Sequence, residues 1–467
     1  MRTSGNILLK VVIGCLLVTV LVPAAHGIIY PKTSAPNGYN YYPIPKDTIG
    51  VSMFLADVYK YYEAKNLRND SIKAQLSEDM KWGVDDMMRQ QIPAFGFNPT
   101  TAVAPKLREL LVESYDIFSY AANYKTSVKR IRPCRRFREP TFGVESERSS
   151  SFLPPKGNSQ FSYPSSHSSS SWGIALVLTC MNPWRADTII SRGLAHSQSR
   201  VIGGVHWQSD VDAGKVVATA NYVRMFCYPT VLDMIDQAQA QTRAVLGRDE
   251  QPTFEQMLAN DDTLALLTLR LPPPYDISSP VGSCDLAVLT DKMLRSTATV
   301  RQEAKKQVNL NTANILACFK SQVGKTMTAQ SHPAVYALVD MHLRMCRKVC
   351  ALMQGRYSKP CPVDFFDSPL STGEDIDSLR SNSSYPSLHA AMGWTASLTL
   401  MMLRPSYQNT ILKQGVAFGE NRVAVGATWP SDVEMGRVVA SIAYGYTTAC
   451  RGYTDMVRAA IEEFNTK

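Results

Sequence analysis

Apolar residues recur at intervals of three and four along much of the chain, the spacing of one helical face. Between Thr48 and Tyr124 the pattern includes Met53-Phe54-Val58 and Leu107-Leu110-Leu111-Tyr115, which predicts several amphipathic helices packed on a core. Pro164-Ser165 opens a helix predicted to run to about Cys180, where Asn182-Pro183 stops it. A helix from about Ala186 to Arg200 and another from about Ser209 to Cys227 follow, with Gly203-Gly204 between them. The residues up to about Lys46 are rich in Tyr, Pro and Asn and read as an extended lead-in. Pro133 to Tyr163 has no period and reads as a loop. The chain is expected to be all-α.

The second half repeats the first. Ser384-Tyr385-Pro386-Ser387-Leu388-His389 matches Ser162 to His167, and Asn421-Arg422 with Thr428 to Asp432 matches Ser199 to Asp210, both at an offset of 222 residues. Lys359-Pro360-Cys361 matches Arg132-Pro133-Cys134. A length of 467 residues suits two domains. Two tandem helical-bundle domains are expected, residues 28–245 and 246–467.

Composition changes this picture little: 45% apolar and 19% charged residues are ordinary for a globular protein. Much of the +9 formal charge lies between Lys125 and Arg138, with Lys129, Arg130, Arg135 and Arg136. The cluster reads either as a solvated basic loop or as a positive mouth steering anionic substrates. No recognised binding module accompanies it, so nucleic acid is not an expected partner. Arg2, Lys10, the apolar run Val11 to Val22 and Ala25-His26-Gly27 have the order of a secretory signal peptide, residues 1–27. The apolar run is too short to span a bilayer. The mature chain is therefore expected to have no membrane span and to be secreted or periplasmic. Cleavage would remove Cys15 and leave an odd number of cysteines, some expected to be bridged and at least one free.

The candidate chemistry lies in Ser199 to Asp210. His206 and Asp210 stand at i, i+4 and are expected to meet on one helical turn. An aspartate that accepts one ring proton fixes the tautomer and leaves the other nitrogen to attack. Arg200 offers a permanent positive fork for a phosphate oxyanion. Alone, such a pair on a helix is usually just a hydrogen-bonded surface pair. Two upstream pieces change that: Lys125 to Arg132-Pro133, and Pro164-Ser165-Ser166-His167. In order they spell K-x6-R-P, P-S-x-H and S-R-x5-H-x3-D. This resembles the signature of the phosphatidic acid phosphatase type 2 superfamily, in particular the class A non-specific acid phosphatases. The vanadium haloperoxidases share the site. One position departs, Ser166 standing where the family has glycine.

The resemblance implies an all-α bundle of the acid phosphatase/vanadium haloperoxidase type, hydrolysing small-molecule phosphomonoesters with no metal and no cofactor. His206 would be the nucleophile that becomes phosphohistidine, Asp210 its orienting acid and His167 the general acid. Lys125, Arg132, Arg200, Ser165 and the backbone N–H of Ser166 would bind the phosphoryl oxygens. In the second half Thr428 falls opposite His206, Leu352 opposite Lys125, Lys359 opposite Arg132 and Asn421 opposite Ser199, while His389, Arg422 and Asp432 are retained. Threonine cannot form a phosphoramidate, so residues 246–467 are expected to be a degenerate, inactive copy. It would pack on the first as a built-in partner, an intramolecular pseudo-dimer. Two rival readings stay open: a vanadate-dependent haloperoxidase, and a non-catalytic anion-binding protein with both copies decayed.

Overall fold

The computed structural model describes residues 35–45, 51–120, 123–143, 161–365, 379–380 and 382–467. The expected signal peptide lies outside these residues. All regular structure among them is helical. The first half runs α1 (Ser52–Lys65), α2 (Asp70–Asp79), α3 (Val84–Phe95), α4 (Pro105–Tyr120) and two short turns, α5 (Lys125–Val128) and α6 (Pro133–Phe137). The longer helices α7 (Ser166–Met181), α8 (Ala186–Ile202), α9 (Gln208–Met225) and α10 (Pro229–Leu246) follow. Short helices α11 (Phe254–Leu258) and α12 (Asp261–Leu267) lead into the second half. That half contains α13 (Pro280–Leu294), α14 (Ala298–Lys306), α15 (Thr312–Cys318), α16 (Lys320–Val323) and α17 (Pro333–Arg356). It ends with α18 (Leu388–Leu403), α19 (Gln408–Ala424), α20 (Pro430–Thr447) and α21 (Tyr453–Thr466).

Helix α7 is the centre of the first half. From Ser168 to Met181 every residue is buried, so it has no solvent face and no amphipathic period. Its small residues let neighbours close in: Gly173 faces the Phe118 ring, Ser169 Oγ donates to Phe118 O at 2.8 Å and Ser168 Oγ to Val211 O at 2.7 Å. Helices α8, α9 and α4 pack around it. Helix α18 has the same role in the second half, with α19, α20 and α17 around it.

The two halves meet through matching elements. Helix α1 packs on α13, α9 on α20 and α10 on α21, while α7 packs on α20 and α18 reciprocally on α9. Tyr222 Oη lies 2.7 Å from Thr448 Oγ1, the Tyr41 and Trp394 rings stack at 6.1 Å, and Tyr42 donates to Glu434. Gly445 abuts Leu176 so closely that a Cβ there would stand 2.4 Å from its Cδ2. One apolar core runs through both halves, from Tyr41 to Phe464.

Among the described residues no helix is long and apolar enough to cross a membrane. The expectation of some bridged cysteines is not met: Cys134, Cys180, Cys227, Cys284, Cys318, Cys346, Cys350, Cys361 and Cys450 are all thiols. Most are packed into the helical core as small apolar side chains, and Cys346 and Cys350 share one turn of α17, where disulfide geometry is poor.

Candidate active site

The site forms where α8 ends and α7 and α9 begin. His206 is not on a helical turn with Asp210, as its spacing implied. Gly203 and Gly204, the latter at φ +81°, turn the chain out of α8, and the N–H groups of Val205 and His206 return to Arg200 O at 3.1 and 3.2 Å. Asp210 is the third residue of α9 and accepts the N–H of Trp207, just before that helix, at 2.8 Å. Ser162 Oγ donates to the same oxygen, Oδ2, and Arg130 Nη1 meets Oδ1 at 2.7 Å. The carboxylate is therefore fixed from three directions. Its Oδ2 lies 3.5 Å from His206 Nδ1, at the outer edge of hydrogen-bond reach, and Ser162 Oγ lies 3.5 Å from the same nitrogen. A ring proton on Nδ1 would face this carboxylate and leave the lone pair on Nε2, which lies 3.3 Å from Arg132 Nη1.

Three buried cations, Arg132, Lys125 and Arg200, act on the ring, and Arg132 is the one in reach of Nε2. Arg132 Nη1 also donates to Val205 O at 2.9 Å. Lys125 Nζ is seated among the carbonyls of Phe161, at 3.3 Å, Ser162, at 3.1 Å, and Pro164. Arg200 is fully buried, with Nη1 3.1 Å from Met80 Sδ. Burial first, then the charges of Arg132, Lys125 and Arg200, hold the His206 pKa well below the usual imidazole range. His206 is neutral at neutral pH, the state a nucleophile requires.

Helix α7 is pinned to the same centre. Ser165 caps it, its Oγ accepting Ser168 N–H at 3.3 Å, and Ser165 N–H donates to Asp210 O at 2.9 Å. Gly214 permits this approach, since a Cβ there would stand 2.7 Å from Ser165 O. Ser166 and His167 occupy the first positions of α7, where backbone N–H groups have no acceptor within the helix and the dipole is positive. His167 Nε2 is 3.3 Å from Met80 O, and its ring meets that of Trp82 edge-on at 4.4 Å. Burial, then Arg200 and His196, push its pKa well below 6.5.

All the residues singled out from sequence, Lys125, Arg132, Ser165, Ser166, His167, Arg200, His206 and Asp210, thus gather around one centre. Several others there were missed. Arg130 is neither a solvated charge nor part of a positive mouth: its side chain is fully buried, bridging Asp210 to Asp57 Oδ2 at 2.8 Å. Asp57 also accepts Ser209 N–H at 3.0 Å. Ser162, Met80, Trp82 and the buried His196 complete the surround. Ser162 alone had a signal, being inside the repeated hexapeptide.

The second half builds the same scaffold in a different register from the one read in sequence. Lys359 Nζ pairs with Asp432 Oδ1 at 2.7 Å and with Asp285 Oδ2 at 3.7 Å, so it stands for Arg130 and not Arg132. Trp429 Nε1 donates to Pro360 O as Trp207 Nε1 donates to Ile131 O, which puts Cys361 opposite Arg132. Gln354 Nε2 contacts the carbonyls of Ser383, at 3.3 Å, and Pro386, at 3.0 Å, so Gln354 and not Leu352 replaces Lys125. The identical Pro-Cys letters had fixed the sequence match two residues out. Thr428 does stand opposite His206, its Oγ1 3.2 Å from Ser384 Oγ.

This all-helical fold, with its two histidines, buried aspartate and three buried cations, defines a class, and the chain belongs to it: the PAP2 superfamily, whose profile matches residues 111–231 and 323–455, together more than half of the chain. Within that class it is similar to a non-specific acid phosphatase of Providencia stuartii, 31% identical over 204 residues, covering 44% of this chain and 81% of that protein. It is also similar to an acid phosphatase of Zymomonas mobilis, 28% identical over 190 residues (41% of this chain, 71% of the relative). A non-specific acid phosphatase of Salmonella typhimurium is 27% identical over 198 residues, 42% of this chain and 79% of that one.

Proposed function

We propose that the chain is an exported acid phosphatase that hydrolyses phosphomonoesters through a phosphohistidine on His206, without a metal. The observation that carries this reading is the placement of His206, with Nδ1 toward a fixed carboxylate and Nε2 toward Arg132 among three buried cations. Nε2 attacks phosphorus, forming the P–N bond as the ester P–O bond breaks. His167 gives its proton to the leaving oxygen, a contribution typically of ~100- to 10,000-fold. Lys125, Arg132, Arg200, the Ser165 hydroxyl and the Ser166 N–H stabilise the equatorial oxygens. Water then attacks phosphorus, His167 takes its proton, and the P–N bond breaks to release phosphate. Asp210 holds the ring and stabilises the imidazolium.

In this reading residues 1–27 are an export signal, 28–245 the catalytic domain, and 246–467 a non-catalytic partner forming an intramolecular pseudo-dimer. The reciprocated helix contacts and the shared core support the last point. The test is hydrolysis of p-nitrophenyl phosphate by the wild type and His206→Ala, with and without a chelator. Chelator-resistant, vanadate-inhibited turnover that disappears in His206→Ala is expected. Retained turnover in that variant would remove the nucleophile assignment, and phosphate binding without turnover would leave an anion-binding protein. Halide oxidation by hydrogen peroxide with added vanadate would point to a haloperoxidase.

A further inference from the structure

We infer that Trp82 forms the leaving-group wall of the site and selects phosphomonoesters with an aromatic or heteroaromatic leaving group. The inference rests on the assignment of His167 as general acid, since the organic part of the substrate must lie beside the group that protonates its bridging oxygen. Trp82 sits in the short turn between α2 and α3, and three features of that turn bind it to the site. Met80 O lies 3.3 Å from His167 Nε2, Met80 Sδ lies 3.1 Å from Arg200 Nη1, and the Trp82 ring meets the His167 ring at 4.4 Å. Yet the indole remains 42% exposed, braced on its other side by Tyr115 at 5.9 Å.

A large apolar ring kept in solvent against the imidazole that serves the leaving group is an unusual use of tryptophan, which tends to be well buried. A planar leaving group held over that ring recovers apolar contact and the favourable offset or edge geometry of an aromatic pair. An alkyl alcohol recovers only part of it. The second half supplies the contrast. There the corresponding carbonyl, Val308 O, lies 3.3 Å from His389 Nε2, and the residue two positions on is Leu310, which is buried. The half without a nucleophile has no exposed ring at this place.

The test compares phenyl phosphate with glycerol 2-phosphate on the wild type, Trp82→Leu and Trp82→Phe. In Trp82→Leu the ratio of kcat/KM for phenyl phosphate over glycerol 2-phosphate should fall by roughly five-fold, carried by KM, with Trp82→Phe recovering most of it. An equal loss on both substrates would show that Trp82 only supports His167 and overturn the proposal, as would an unchanged ratio. Binding of phenyl phosphate and of inorganic phosphate to His206→Ala, with and without Trp82→Leu, needs no turnover. A preference for phenyl phosphate that Trp82→Leu abolishes sustains the proposal even if the wild type hydrolyses neither ester, an outcome that would sink the phosphatase reading alone. A preference that survives Trp82→Leu overturns it.

Discussion

Around Asp210 and around Asp432 the chain builds one scaffold twice. In each half a serine donates to the aspartate, a cation bridges it to a second carboxylate on a preceding helix, and the capping serine of a central helix donates its N–H to the aspartate carbonyl. What differs is what faces the pocket. Lys125, Arg132 and His206 give way to Gln354, Cys361 and Thr428, while Arg200 and His167 have counterparts in Arg422 and His389. The buried carboxylate network is thus common to both halves. The three replaced groups are the ones to which the proposed mechanism assigns the chemistry. Burial lifts the Asp432 pKa to about 6, with Lys359 pulling the other way, and burial brings Arg422 down to about 10, with Cys361 opposing it.

The sharpest break between the halves should come at the proposed nucleophile. His206→Ala should cost more than about 10,000-fold in kcat, whereas Thr428→Ala should leave the rate where it was. Thr428→His in the His206→Ala background should not restore turnover, because a histidine there meets neither a lysine nor an arginine at the replaced positions. Adding Gln354→Lys and Cys361→Arg should bring back measurable vanadate-sensitive hydrolysis. If Thr428→His alone rescued the rate, the cations would not be what separates the two halves.

A second difference lies in the scaffold itself. Arg130→Met leaves Asp57 and Asp210 buried without their shared cation and should cost about 3–5 kcal/mol, read as a lower urea midpoint. Lys359→Met should cost less, because Asp432 already titrates near 6 and can take a proton. The sign follows from linkage. Asp432 has a folded pKa above its unfolded value, so it binds more protons when folded, and its contribution to stability falls as pH rises through about 4 to 6. The deficit of Lys359→Met should therefore shrink in acid. A deficit as large as that of Arg130→Met at every pH would contradict the asymmetry.

The rate should show its own pH signature. The proposed mechanism needs His206 neutral and His167 protonated in the free enzyme, and both pKa values are pushed well below 6.5. The bell in kcat/KM should peak on the acid side of 6.5, because raising the pH strips the proton from His167. A bound phosphate dianion favours both imidazolium forms, so the kcat profile should lie at higher pH. A kcat/KM that climbed steadily into the alkaline range would exclude His167 as the acid.

The central helices were legible because prolines, paired glycines and Asn182 punctuate them, and the predicted limits of α7, α8 and α9 fall within two residues of those observed. The site charges were legible because their spacing is short and local. Arg130 was misread since its partner Asp57 lies 73 residues away, and only tertiary packing decides whether an arginine in a basic run is solvated or buried. The match of Lys359 to Arg132 failed for a related reason: two shared letters outweighed a hydrogen-bond pattern that no sequence displays. Met80 and Trp82 carry no motif at all, because a carbonyl and an exposed ring act here by position.

The smallest expected effect concerns Ser166, where the resemblance had called for glycine. A glycine would be required if the backbone there needed a positive φ, but among the described residues only Lys129 and Arg138 depart from negative φ without being glycine. Ser166 is simply the first residue of α7, half-buried, and the second half tolerates the larger Leu388 at the same place. What remains is space: a Cβ beside the amide that would face phosphate. Ser166→Gly should thus raise kcat/KM by at most a few-fold, while flexibility at the helix start lowers stability by roughly 0.5–1 kcal/mol. Steady-state kinetics and a urea melt on the one variant separate the two effects. A clear loss of activity without loss of stability would mean that the Ser166 hydroxyl itself contacts the phosphoryl group, a role its counterpart Leu388 could not share.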